Sequence, residues 1–182
     1  MASSLDHIEK TLAEAYRKEI DQEENIWRSL PFFAATLALE LGAIYQIAGH
    51  LPPAGTGAWR GSIGFIFSAG AATLTAIGFL AAAIFPARFG YISPEPELLD
   101  YSERLDQYER ERDATEETPA IDALAELKKT LAHEYALAAD YNRRINQRRA
   151  VWRSIAGVAT LAGVLSIVAL VATATAYYVW NG

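Results

Sequence analysis

The sequence predicts an all-α integral membrane protein, with three transmembrane helices joined to amphipathic, coiled-coil-like helices on the cytosolic side. Three observations carry that expectation. Leu30 to Ile47 holds a single charged side chain, Glu40, while Gly61 to Phe85 and Ser154 to Asn181 hold none. A bilayer core of about 30 Å takes roughly 20 apolar residues of helix, so each stretch is long enough to cross one. The other residues place apolar side chains three and four apart, the helical period, with no strand-like alternation. The charges are also segregated. Of 16 Lys and Arg, four precede the first span, one lies between the first and second, eleven lie between the second and third, and none follows. A mean hydropathy of +0.07 over 182 residues therefore averages two unlike parts. A soluble globule is excluded, and the absence of cysteine excludes a disulfide scaffold.

Residues 1–29 form the first cytosolic helix, where Leu5, Ile8, Leu12, Tyr16 and Ile20 make an amphipathic stripe running towards Trp27. This segment is acidic and too long for the n-region of a cleavable signal, so insertion relies on the spans. The first span covers 30–50. The loop 51–60 begins Leu51-Pro52-Pro53-Ala54-Gly55-Thr56-Gly57, turn chemistry that reconnects two antiparallel spans. The second span covers 61–85, and 86–153 is a cytosolic helical region. Ser93-Pro94 and Thr118-Pro119 each set a capping residue before a proline at the first helical position. The first pair opens a charged helix from about Pro94 to Arg112, with 103–117 as a solvated connection. The second opens a longer helix that continues unbroken into the third span, 154–180.

On that longer helix Ile121, Leu124, Leu131, Tyr135, Ala138, Asn142, Ile145 and Trp152 form a heptad-like stripe, interrupted by Lys128 and Arg149. Such a stripe needs a partner, either the N-terminal helix or a second copy. Asn142 is either a register device within it or a solvent-facing side chain. A gapped internal similarity runs through the same elements. Leu12-Ala13, Tyr16, Trp27-Arg28-Ser29 and Ala35-Thr36-Leu37-Ala38 recur as Leu131-Ala132, Tyr135, Trp152-Arg153-Ser154 and Ala159-Thr160-Leu161-Ala162. Selection of the same residues at two points of membrane entry accounts for this more simply than duplication.

Orientation follows from the basic residues, which favour the cytosolic side: N-terminus inside, C-terminus outside. All four tryptophans, Trp27, Trp59, Trp152 and Trp180, fall at span ends, where headgroups suit their amphipathic rings. The catalytic inventory is thin. His7, His50 and His133 are far apart, no cysteine offers a thiolate, and the Gly-rich segments lack a following Gly-Lys-Ser/Thr. An enzyme is not expected, nor a cofactor or metal.

Three features remain as candidates. Glu40 sits near the middle of span one with Thr36 one turn before it. An intramembrane carboxyl is costly and points to function by default, as a protonated acid, a bond across helices or part of a polar path. In span two Gly61, Gly64, Ser68, Ala71, Thr75, Gly78 and Ala82 make a small-residue stripe of the kind that lets helices approach closely. It suits packing within one subunit as well as oligomerisation, because 15 of the 25 residues from Gly61 to Phe85 are Gly, Ala, Ser or Thr. Just inside span three lie Arg143, Arg144, Arg148, Arg149 and Arg153. Each is attracted to anionic headgroups by about 1 kcal/mol near the surface. The sharper alternative is a phosphate or nucleotide site, since guanidinium forks suit phosphate oxygens. The acidic segment 103–117 is placed to shield them at rest.

With Tyr135, Tyr141-Asn142, Arg148-Arg149, Trp152-Arg153 and the span they enter located, and with Tyr16 to Trp27 in weaker support, the chain resembles small bacterial membrane effectors of the SLATT type. A third span departs from their commoner two-span pattern. The resemblance implies a protein silent at rest that assembles and permeabilises the inner membrane when an antiphage partner senses infection. The expectation is a non-enzymatic, homo-oligomeric inner-membrane effector, with a soluble signalling or nucleotide-sensing partner and no direct nucleic-acid contact. The alternatives are an adaptor that recruits a soluble partner through 86–153, and an ion or proton pathway centred on Glu40.

Overall fold

The computed structural model describes residues 4–93, 95–113 and 122–181. Among the described residues the chain is all-helical, with α1 (Ser4–Ala48), α2 (Gly57–Ile84), α3 (Glu95–Asp113) and α4 (Ala123–Asn181). α1, α2 and α4 are each long and apolar enough to cross a membrane. At 1.5 Å per residue, the 59 residues of α4 reach about 88 Å and the 45 of α1 about 68 Å. The expected first helix and first span are therefore one element. Pro31 lies inside α1 without ending it, although its ring removes one N–H donor.

The boundaries shift where capping chemistry sets them. α2 begins at Gly57 rather than at 61 because the Thr56 hydroxyl accepts the Trp59 N–H at 3.1 Å. Trp59 and Arg60 thereby join the helix, and Gly55, at φ 88°, supplies the left-handed residue of the preceding turn. α3 opens at Glu95, close to the expected start, and it is helical to Asp113, so much of the expected connection 103–117 is helix instead. Pro94, Thr118-Pro119 and Ile121 lie outside the described residues. α4 is capped at Asp122, whose carboxylate accepts the Ala125 N–H at 3.1 Å beside the positive end of the helix.

The chain divides into two compact units, a polar one from residues 1–24 and 87–146 and an apolar one from 25–86 and 147–182. In the polar unit α1 and α4 run parallel. Asp6 pairs with Lys128, the Tyr16 ring lies 5.7 Å from that of Tyr135, and Glu19 meets Arg143 and Asn146. The heptad-like stripe of α4 therefore finds partners within the chain: Tyr135 meets the N-terminal helix, while Ala138 and Asn142 face Gly90 in the segment before α3. Leu124, at its start, stays exposed. α3 packs at the start of α4, where Tyr101 reaches Thr130 and Leu105 shares a cleft with Leu124 and Leu127.

In the apolar unit α1 and α4 again run parallel, with Phe33 beside Gly157 and Glu40 beside Gly163. The Tyr178 hydroxyl donates to the Leu51 carbonyl at 3.1 Å. α2 returns antiparallel, placing Ser68 against Ser166 at 3.0 Å and Gly61 beside Thr173. Leu37, Ala76, Leu80 and Ala156 form the core, flanked by Leu30, Phe33, Phe79 and Ala159. Only 11% to 22% of the most apolar window of each long helix is buried within the chain, so most of that surface needs an apolar surrounding.

Candidate functional site

Glu40 is 2% exposed, enclosed by all three long helices of the apolar unit. Its Oε2 lies 2.7 Å from Thr73 Oγ1 on α2. The same Thr73 hydroxyl lies 2.9 Å from the Ala69 carbonyl, one turn back along its own helix. Glu40 Oε1 has no hydrogen-bond partner. On α4 the neighbour is Gly163, where a Cβ would stand 2.8 Å from Oε2 and 3.0 Å from Oε1. Any larger residue there would have to displace the carboxyl. Thr36, grouped with Glu40 by sequence spacing, turns its hydroxyl to the Phe32 carbonyl at 2.9 Å. It lines a cleft of about 310 Å³ with Phe32, Gly157, Thr160, Leu161 and Val164. The residues that complete the Glu40 site, Thr73 and Gly163, belong to none of the expected constellations. Gly163, one of two glycines in the third span, was the available signal for one of them.

The face that α2 buries consists of Ser62, Ala69, Thr73, Ala76, Leu80 and Ala83. The expected stripe lies beside this face. Its members divide: Gly61 and Ser68 reach α4, Ala82 is half-buried, and Gly64, Ala71, Thr75 and Gly78 are exposed. A Cβ at Gly64 or Gly78 would meet nothing within 4 Å. Two stripes of small residues fit one helix because small residues dominate its composition.

Three of the five arginines have separate partners within the chain. Arg149, 4% exposed, donates to the Phe85 carbonyl at 3.0 Å and so places a cation at the C-terminal end of α2. Arg143 pairs with Glu19 at 3.2 Å in the polar unit. Arg144 pairs with Asp140 one turn back on the surface. Arg148 is exposed and Arg153 half-buried. The described contacts of α3 lie at Leu124 to Thr130, thirteen or more positions before Arg143 on α4.

The polar unit also settles Asn142, which is fully buried and is neither a coiled-coil register device nor a solvent-facing residue. Its Nδ2 donates to the Gly90 carbonyl at 2.9 Å, and its Oδ1 accepts the Gly90 N–H at 2.7 Å. Three residues on, Ser93 donates to Glu134 through its N–H at 2.8 Å and its hydroxyl at 2.7 Å. These two clips hold the extended segment before α3 against α4. Gly90 packs closely there: a Cβ would stand 3.4 Å from both the Ala138 backbone and the Tyr141 ring. Burial raises the Tyr16 hydroxyl above its ordinary value of 10.0. Tyr91 adds to the shift, a backbone contact at Ile92 pulls the other way, and Tyr135 adds less. The hydrogen bond to Asp6 is the main cause that raises Lys128 above its ordinary 10.5.

Among the described residues no three His, Cys, Asp or Glu side chains converge as a metal site would require. Comparison with protein-family models, curated proteins and solved structures finds no match.

Proposed function

We propose that this chain is a non-enzymatic membrane effector that self-associates through α2 and then disrupts, or conducts across, the bilayer. In this reading it is a multi-pass protein of a bacterial inner membrane, with its N-terminus inside and C-terminus outside. The observation that carries the reading is the outward face of α2. Gly64, Ala71, Thr75 and Gly78 lie exposed, while a different face serves the chain's own bundle. A close-approach surface left over after folding suits a neighbouring helix better than loose lipid chains. The silent state is the monomer, closed around Glu40. A soluble signalling or nucleotide-sensing partner on the inner side would favour assembly. Arg144, Arg148 and Arg153 lie where anionic headgroups would meet them. The likeness to SLATT-type effectors gives this activity its proposed setting, antiphage defence.

The test is induced expression in cells loaded with a membrane-potential dye, together with the mass of the detergent-solubilised protein. Depolarisation and an oligomer are expected, both lost when Gly64 and Ala71 are replaced by Leu. A monomer that never depolarises the cell, even with its partner active, would sink the effector reading. An adaptor reading draws support from Tyr91, Leu99 and Leu137, exposed apolar side chains of the polar unit. It predicts a captured soluble partner and an undisturbed membrane potential.

A further inference from the structure

The geometry points to a buried proton-binding site at Glu40, in which the carboxyl keeps a proton and donates it in a hydrogen bond to the Thr73 hydroxyl. Thr73 Oγ1 lies within hydrogen-bond distance of two oxygens, Ala69 O at 2.9 Å and Glu40 Oε2 at 2.7 Å. A hydroxyl carries one proton and can also accept. Two full hydrogen bonds at this oxygen therefore require a second proton, and the backbone carbonyl has none to give. It comes from the carboxyl. Glu40 Oε2–H donates to Thr73 Oγ1, and Thr73 O–H donates to Ala69 O.

The surroundings favour the same arrangement. α2 presents Thr73 to the carboxyl and α4 presents Gly163, neither of which is charged. From Leu30 to Ile47 α1 has no charged side chain but Glu40, and Gly61 to Phe85 and Ser154 to Asn181 have none at all. A carboxylate here would be a buried charge with no counter-ion, one oxygen without a partner, and half of a shared hydroxyl proton on the other. An unpaired buried charge is far more costly than a neutral group in the same place. As an acid, Glu40 leaves only the carbonyl-type Oε1 unpartnered, a much smaller penalty. Gly163 belongs to the site because it admits the carboxyl to the bundle. The ligand is a single proton, and it links α1 to α2. Losing it forces the Thr73 hydroxyl to divide its one proton between Glu40 and the Ala69 carbonyl, and leaves a charge that the closed bundle cannot solvate. The inference requires the three spans to pack as described and does not depend on what the assembled protein does.

Infrared spectroscopy of the purified full-length protein in lipid nanodiscs at neutral pH tests it. A protonated-carboxyl C=O band is expected in the wild type. It should vanish in Glu40→Gln, which keeps the shape and a donor for Thr73. It should shift to higher frequency in Thr73→Val, which removes the acceptor. Glu19→Gln should leave the band in place, because that carboxyl faces Arg143 and Asn146 instead. Absence of the band in the wild type overturns the inference, and so does its survival in Glu40→Gln. Should a variant fail to fold, isotope labelling of the glutamates in the wild type still decides whether the protonated band belongs to a glutamate.

Discussion

At the scale of single residues, the chemistry of this chain lies in side chains that satisfy backbone groups or make room for one another. Asn142 makes two hydrogen bonds to Gly90 from a fully buried position. Asn142→Ala should cost about 2 kcal/mol, because it leaves a buried N–H and C=O unpaired. Asn142→Asp should recover only part of that, since it returns one acceptor and no donor. Thermal unfolding of the detergent-solubilised protein reads both. Gly163→Ala should cost about 1–3 kcal/mol, since the new Cβ meets the Glu40 carboxyl. The penalty should shrink in a Glu40→Ala background, a coupling that a double-mutant cycle measures directly. Spacing identified Glu40 as exceptional but paired it with Thr36, because spacing sees only one helix. Its actual partners stand 33 and 123 positions away, on α2 and α4. Arg149 was legible only as a cation near a membrane entry, and its task at Phe85 depends on where α2 ends.

At the scale of elements, the parallel contact of α1 with α4 in the polar unit is the feature to test. It joins Asp6 to Lys128 and Tyr16 to Tyr135. Both Tyr16 and Lys128 hold their protons more tightly in the fold than their ordinary values of 10.0 and 10.5. The unfolded chain therefore releases these protons first as pH rises. Their contribution to stability is complete below about pH 10 and is lost as pH climbs through the raised folded values. Tyrosinate absorbance should show one late-titrating group that Tyr16→Phe removes, and loss of helix should accompany its ionisation. The same contact changes the meaning of the internal similarity. The rings of Tyr16 and Tyr135, equivalent in the two copies, meet at a tilt of 48°, so the matching segments are neighbours in the fold as well as in pattern. The heptad-like stripe announced that α4 needed a partner. It did not say which, because an apolar stripe is satisfied equally by any helix of matching pitch.

At the scale of the whole molecule, the proposed orientation yields a direct test, because the chain has no native cysteine. Ala54→Cys should react with a membrane-impermeant thiol reagent in intact cells, whereas Glu103→Cys should react only after lysis. The reverse pattern would refute the orientation. Apolar spacing, composition and charge determined that the chain is helical, that three stretches can cross a bilayer, and where the charges collect. These are properties of transfer from water to hydrocarbon, which each residue carries wherever it sits. The tertiary structure alone decided which small-residue face of α2 is buried and which is left open. It also decided that Thr73 and Gly163 enclose Glu40, and that Arg143 and Arg149 bind within the chain. Those outcomes depend on which surfaces meet. A helix rich in Gly, Ala, Ser and Thr offers several faces of nearly equal fit, and only the positions of its neighbours choose among them.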